Sequence, residues 1–235
     1  MTAGVGIAIE TSCLAGGLAL GRGDRLVETV AFDATARHAT QLISRLDDLL
    51  RSRRLRPGDV GEVYVSAGPG SFTGLRVGIT AARALGQAIP HCRCVAVPTA
   101  QAIAEAENVR NRPWQNLAVV LDARQGSVHA TFFHRHGDRI VPVGPGQPLS
   151  VKEFLDVAPR PLLVVGQGLE YQPLEGPDIT TLGGEWEAHL PTAEGVWRVG
   201  RRMAHGGQCT DYPHLLPIYA RKPEAVRLWE DRSKP

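Results

Sequence analysis

Four cysteines, Cys13, Cys92, Cys94 and Cys209, are too few and too scattered for a disulfide framework in a chain of 235 residues, so free thiols are expected. Cys92-Arg93-Cys94 puts two sulfurs on one face of a strand, but no second pair of soft ligands lies nearby in sequence. That argues against zinc and for thiols buried in the strand running into Val95-Ala96-Val97. No apolar run approaches the roughly 20 residues of a spanning helix, and the opening Met-Thr-Ala-Gly-Val-Gly-Ile has neither a basic leader region nor a cleavage pattern. A soluble, cytoplasmic protein without a membrane partner is expected. Charge is also in short supply, since a net +2 does not by itself argue for nucleic acid. Basic residues gather locally at Arg51, Arg53, Arg54 and Arg56 and in the tail at Arg221, Lys222, Arg227, Arg232 and Lys234, the latter tempered by Glu224, Glu230 and Asp231. The first group reads as the solvated end of a helix, where cations complement the dipole.

Recognised catalytic spacings are missing as well. The richest stretch runs from strand-forming Val63-Tyr64-Val65 through a turn with Gly68, Pro69, Gly70 and Gly74 into a helical pattern from Leu75. Such a loop suits phosphate, yet Gly74 is followed by Leu75 and Arg76 where a P-loop needs Lys and Ser or Thr. The dinucleotide pattern begun at Gly68 meets Thr73 where a third glycine belongs, and Pro69 two residues before Ser71 spoils a nucleophile elbow. A peptidase reading of Ser66, Ser71 and Thr73 lacks a base placed beside any hydroxyl. The eight histidines are dispersed: His38 opens a helix, His134 and His136 alternate on a strand, and none forms a His-x-x-x-His or Ser-His-Asp set.

What is present is organisation. Gly6 to Glu10, Leu14 to Leu20 and Arg25 to Phe32 read as three strands, with Gly21-Arg22-Gly23-Asp24 turning the hairpin between the last two. From His38, Ala39, Leu42, Ile43, Leu46, Leu49 and Leu50 follow helical spacing. Then come the strand and loop described above, a helix over Leu75 to Ile89, a strand near Cys94 to Val97 and a helix from Thr99 to Asn108. In the Leu75 to Ile89 helix, Gly78, Ala82 and Gly86 recur at i, i+4 and i+8 beside Ala81, Leu85 and Ile89, leaving one face almost without bulk. That ridge packs either on the protein's own sheet or on a partner chain.

The pattern then restarts. Leu117-Ala118-Val119-Val120-Leu121-Asp122 mimics Val5-Gly6-Ile7-Ala8-Ile9-Glu10, and Gly137-Asp138-Arg139-Ile140-Val141 mimics Gly23-Asp24-Arg25-Leu26-Val27. This is an internal repeat, each copy opening with a strand that ends in a carboxylate, Glu10 or Asp122. The second copy reads as truncated: Pro142 to Pro148, a short helix around Val151 to Leu155, the strand Leu162 to Val165, and a loop-rich stretch to Gly184. Thr192 is placed to cap a last helix, Glu194 to about His205, expected to pack back on the first half. The expected units are 1–110, 111–187 and 188–235.

Two resemblances follow. The duplication resembles the actin, Hsp70 and sugar-kinase (ASKHA) superfamily, an α/β fold in which two βββαβα halves face each other across a cleft. The motif Ser66-Ala67-Gly68-Pro69-Gly70-Ser71-Phe72-Thr73-Gly74-Leu75-Arg76-Val77-Gly78, with the Pro217-Ile218-Tyr219-Ala220-Arg221 ending, resembles the TsaB (YeaZ) family. The second resemblance implies a dimerisation and scaffold subunit, without catalysis or cofactor of its own, in formation of threonylcarbamoyladenosine beside the tRNA anticodon. It assigns catalysis to a homologous partner, TsaD, completes the assembly with an ATPase, TsaE, and leaves a homodimer open; tRNA contact is expected to be indirect or weak. A TsaD-like enzyme would carry two metal-binding histidines on the helix after the Cys94 to Val97 strand, where this chain has Thr99 and Ile103. The partner interface is expected on helices 39–50 and 75–89, at Leu42, Leu46, Leu49, Gly74, Leu75, Gly78, Ala81, Ala82 and Leu85. The rival expectation is an ATP-dependent enzyme of the same superfamily, with Glu10 and Asp122 holding magnesium or its waters and Gly16-Gly17 or the 68–74 loop approaching phosphate.

Overall fold

Why Val5–Glu10 can be so uniformly apolar is plain from its place: it is the middle strand, β1, of a five-stranded sheet covered on both faces. A computed structural model describes residues 4–33, 37–123, 126–182 and 189–220, and the basic tail from Arg221 lies outside them. In the first sheet, β1 (Val5–Glu10), β2 (Gly17–Arg22) and β3 (Arg25–Ala31) form an antiparallel meander, and β4 (Val60–Gly68) and β5 (Arg93–Pro98) add in parallel on the other side of β1. The order is β3-β2-β1-β4-β5.

The second sheet repeats that order strand for strand. Here β6 (Asn116–Asp122), β7 (Ser127–His136) and β8 (Arg139–Pro142) form the meander, while β10 (Leu162–Val165) and β11 (Ile179–Thr181) add in parallel to give β11-β10-β6-β7-β8. Both meander hairpins turn on Gly-Asp, and Gly23 (φ 55°) and Gly137 (φ 58°) occupy the left-handed region that such two-residue turns require. The duplication legible in the sequence is thus a duplication of topology, and the fold is of the two-sheeted ASKHA type.

Helices fill both sides. On one face of the first sheet lie α1 (His38–Ser52) and α2 (Phe72–Ala88), whose Leu42, Leu46, Leu49, Ile79 and Ala82 pack on Ile7, Ile9, Val63 and Val65. The opposite face, with Ala8, Ala19, Tyr64, Val95 and Val97, takes α6 (Ala193–His205) through Val196, Trp197 and Val199. Small residues set these approaches: a Cβ at Gly200 would collide with the Tyr64 ring and one at Gly21 with the Trp197 indole. Between the sheets, α3 (Thr99–Ala104) touches α6 and also packs Ala100, Ile103 and Ala104 on Leu117, Val119 and Leu121 of the second sheet. The outer face of that sheet is covered by α5 (Val151–Val157) through Phe154. Where α2 follows β4 in the first copy, only the single 3-10 turn Gln167–Glu170 follows β10 in the second.

Several expected boundaries move, each for a local reason. Strand β2 starts at Gly17, and Leu14 stands 62% exposed in the loop before it. Helix α2 begins three residues before Leu75, at Phe72, because the Ser71 hydroxyl accepts the Gly74 N–H as an N-cap. The helix expected over 99–108 breaks after Ala104 and resumes as α4 (Glu107–Arg110). At the break Glu105, 1% exposed, receives Arg110 at 2.8 Å and Arg202 at 2.5 Å, tying α4 and α6 together. Two strands were not foreseen: β9 (Gln147–Ser150), an added strand with a proline that pairs with β7, and the three-residue edge strand β11.

Among the expected partner-facing residues, the structure overturns the exposed-ridge reading. Leu42, Leu46, Leu49, Gly74, Leu75, Gly78, Ala81 and Ala82 are all buried, and Leu85 is half-buried in the same core. The bare ridge of α2 faces the chain itself. A Cβ at Gly74 would overlap the Thr11 carbonyl oxygen, one at Gly78 would collide with Thr11 Oγ1, and one at Gly86 would sit 2.7 Å from Tyr212 Cβ and 2.8 Å from Cys94 Sγ. The side left to solvent carries Phe72, Thr73, Arg76, Thr80, Arg83, Ala84, Gln87 and Ala88 on α2 and, on α1, Ile43 together with the charged Arg45, Asp47 and Asp48.

Candidate functional site: the signature loop and the strand-end carboxylate

The signature loop is organised around Glu10. As the last residue of β1 it lies beside β4, and its carboxylate is wholly buried. Three donors converge on it: the Ser12 N–H at 2.5 Å and the Ser12 hydroxyl at 2.7 Å on Oε1, and the Ser66 hydroxyl on Oε2. Burial raises its pKa above the ordinary carboxylate value, and the serine hydrogen bonds work against that rise. A carboxylate so enclosed has no face turned to a magnesium ion, so the magnesium role expected for Glu10 is corrected to a structural one. Asp122 ends β6 in the corresponding place of the second sheet, opposite Val128.

The loop itself is committed to packing. Gly68 (φ 114°) would set a Cβ onto the Ile218 carbonyl oxygen, and Gly70 would set one 2.9 Å from Ser12 Cβ. The Ser71 N–H donates to the Ser12 carbonyl oxygen at 2.7 Å, and the Thr11 hydroxyl donates to the Gly74 carbonyl oxygen at 2.8 Å. Amides that would cradle phosphate are thus already engaged at Ser71 and Gly74, and the phosphate-approach reading of the 68–74 loop is corrected accordingly. Ser66 is 0% exposed and directs its hydroxyl proton to the buried Glu10 carboxylate, an environment with no path to a substrate.

What remains outward is narrow. Phe72 is 47% exposed, the Arg76 guanidinium lies 4.1 Å from its ring centroid, and Tyr219 stacks on it at 5.2 Å. This cluster joins the signature loop to the Pro217–Tyr219 segment, with 147 positions from Phe72 to Tyr219 and no sequence pattern connecting them.

Other candidates fall elsewhere. Thr99 and Ile103, 2% and 0% exposed, sit inside the α3 packing. All four cysteines are free thiols; Cys13 and Cys94 are buried, Cys92 is half-buried and Cys209 exposed. Burial, followed by the nearby Glu10 charge, raises the pKa of the Cys13 thiol and leaves it unreactive. His134 and His136 meet ring to ring at 4.5 Å, with His134 also bonded to Asn116. Of the arginines near the end of α1, Arg51 pairs with Asp47 and Arg53 with Glu28. Among the described residues, no group of three or more His, Cys, Asp or Glu stands together to hold a metal, and no helix is long and apolar enough to cross a membrane. A groove of about 670 Å³ is lined by Gly16-Gly17, the glycines that the rival expectation set near phosphate, with the end of β3, α4 and the approach to α6.

Comparison with known proteins decides the family. The family model described as TsaD, tRNA N6-adenosine threonylcarbamoyltransferase, matches residues 31–185, well over half of the chain. The chain is 26% identical over 237 residues to the tRNA threonylcarbamoyladenosine biosynthesis protein TsaB of Bacillus subtilis, covering 97% of this chain and 99% of that one. The chain is a TsaD-type protein of the TsaB (YeaZ) family. The Escherichia coli protein of the same description is 28% identical over 192 residues, covering 78% and 80% of the two chains. An uncharacterised Mycobacterium tuberculosis protein is 30% identical over 204 residues, covering 86% and 83%. Among solved structures, YeaZ from Pseudomonas aeruginosa superposes with a TM-score of 0.75 at 21% identity, over 92% of this chain and 99% of that one. Another, described as having similarity to peptidase YeaZ from the same organism, gives 0.77 at 22%, over 93% and 100%. These structures bear on the fold, and the TsaB relatives support a role in tRNA threonylcarbamoyladenosine biosynthesis.

Proposed function

We propose that the chain is a cytoplasmic, non-catalytic subunit that binds and supports a TsaD-like catalytic homologue in threonylcarbamoyladenosine formation, with a TsaE-like ATPase completing the assembly. The observation that carries this reading is the closure of Glu10 by Ser12 and Ser66, which turns the strand-end acid of an ATP-using cleft into an internal brace. Thr99 and Ile103, buried where the resemblance to TsaD calls for metal-binding histidines, point the same way. The docking face is the solvent side of α1 and α2, with Ile43 at 61% exposure on the first helix and the small and uncharged Thr80 and Ala84 exposed on the second. Small residues let a partner helix approach closely and bury an apolar stripe.

Co-expression with TsaD tests the reading. The chain is expected to co-purify with TsaD, to restore threonylcarbamoyladenosine in a strain lacking its own TsaB, and by itself to turn over no ATP. Failure to pair with TsaD, or ATP turnover by the isolated chain that Asp122→Asn abolishes, overturns it.

A further inference from the structure

Three segments meet at one rim of the first sheet. Ser71 N–H bonded to the Ser12 carbonyl oxygen, and Ile218 N–H donating to the Ala67 carbonyl oxygen at 2.6 Å, hold the 11–16 loop, the start of α2 and the 216–220 segment side by side. Packing explains Ser66, Gly68, Gly70, Ser71 and Gly74, but it does not explain why an aromatic ring with a guanidinium laid over it is left facing water at Phe72 and Arg76.

The three segments themselves carry no carboxylate, with the buried Glu10 beneath them and the exposed Asp33 next to Phe32, which bonds Gly16. No Asp or Glu occurs between Glu10 and Asp24, between Glu62 and Glu105, or between Asp211 and Glu224. Those intervals contain all three segments, and beyond Tyr219-Ala220 the sequence continues as Arg221-Lys222. An apolar protein partner would be served by the exposed Leu14, Leu216 and Ile218. It would call neither for a stacked cation and two rings nor for the exclusion of carboxylates from three separate segments. Unpaired RNA calls for both, because bases stack on aromatic and guanidinium planes while phosphates are drawn by uncancelled positive charge.

We infer that Phe72, Arg76 and Tyr219 form a stacking platform for an unpaired base in the single-stranded loop of a tRNA. The inference rests on the proposed role in threonylcarbamoyladenosine formation and gives the chain a direct part in holding the substrate.

The test uses the full chain, alone and with TsaD. The probes are an unmodified anticodon stem-loop hairpin and a fully paired RNA duplex of equal length. Phe72→Leu keeps apolar bulk and removes the ring; it is expected to melt with the parent protein and to bind the hairpin on the order of tenfold more weakly. Arg76→Gln, which removes the cation laid over the ring, is expected to weaken hairpin binding as well. Hairpin affinity unchanged in both variants, or a duplex bound as tightly as the hairpin, overturns the inference. So does loss of TsaD with RNA affinity intact, which makes the rim a protein contact. Failure of the parent chain to pair with TsaD sinks the proposed function instead, and Phe72-dependent hairpin binding by the chain alone is read separately from it.

Discussion

Gly78 lies directly against Thr11, so close that any Cβ on the glycine would collide with the threonine hydroxyl oxygen while also standing 3.3 Å from Val65 Cγ2. That hydroxyl is itself engaged, donating to the Gly74 carbonyl oxygen. Helix α2 is therefore seated on the first sheet by the absence of side chains at two points one turn apart.

Gly78→Ala is expected to destabilise the fold by about 1–3 kcal/mol through overpacking. Gly74→Ala is expected to cost more, because the obstacle there is the Thr11 backbone carbonyl rather than a hydroxyl. Thermal or denaturant unfolding of both variants measures the difference; equal stability of Gly74→Ala and the parent protein contradicts this seating of α2.

Glu10 supplies a pH prediction. Its folded-state pKa is raised above 4.5, burial being the main cause, so the native state holds the proton more tightly than the unfolded chain. Its contribution to stability is therefore full below 4.5 and is lost as pH rises through the folded pKa. Glu10→Gln keeps an acceptor for Ser12 and removes the charge, and is expected to flatten this dependence and to match or exceed the parent in stability near pH 7. Glu10→Ala strands the Ser12 and Ser66 donors and is expected to cost a few kcal/mol. Melting temperatures from pH 4 to 8 separate the three proteins, and a Glu10→Gln protein that melts far below the parent at neutral pH refutes the assignment.

The docking face gives a third test. Thr80→Glu and Ala84→Glu place charge on solvent-facing positions of α2, so each is expected to stay within about 0.5 kcal/mol of the parent in stability. Both are expected to lose TsaD in co-purification. Retention of TsaD by both variants moves the interface off α2.

Sequence pattern disclosed the architecture better than the surface. The repeat of Leu117–Asp122 on Val5–Glu10, and the shared Gly-Asp turns, foretold two related halves because strand periodicity and turn chemistry are local properties, while the common strand order is a tertiary fact. The orientation of α2 was not readable, since a small-residue ridge is equally suited to a sheet of its own chain and to a foreign helix. Only the tertiary position of Thr11 settles which. Glu105 was overlooked for a similar reason: its partners Arg110 and Arg202 lie five and 97 residues away, and the second pairing exists only once α6 is in place. The stacking of Phe72 on Tyr219 likewise had no signal along the chain.

The two sheets end unequally. A full-length helix follows β4, but one 3-10 turn follows β10, so the helical pair is built once and not twice. On the proposed docking face, a second copy and TsaD compete for the same place. On that proposal, a chain engaged by TsaD is withdrawn from pairing with itself.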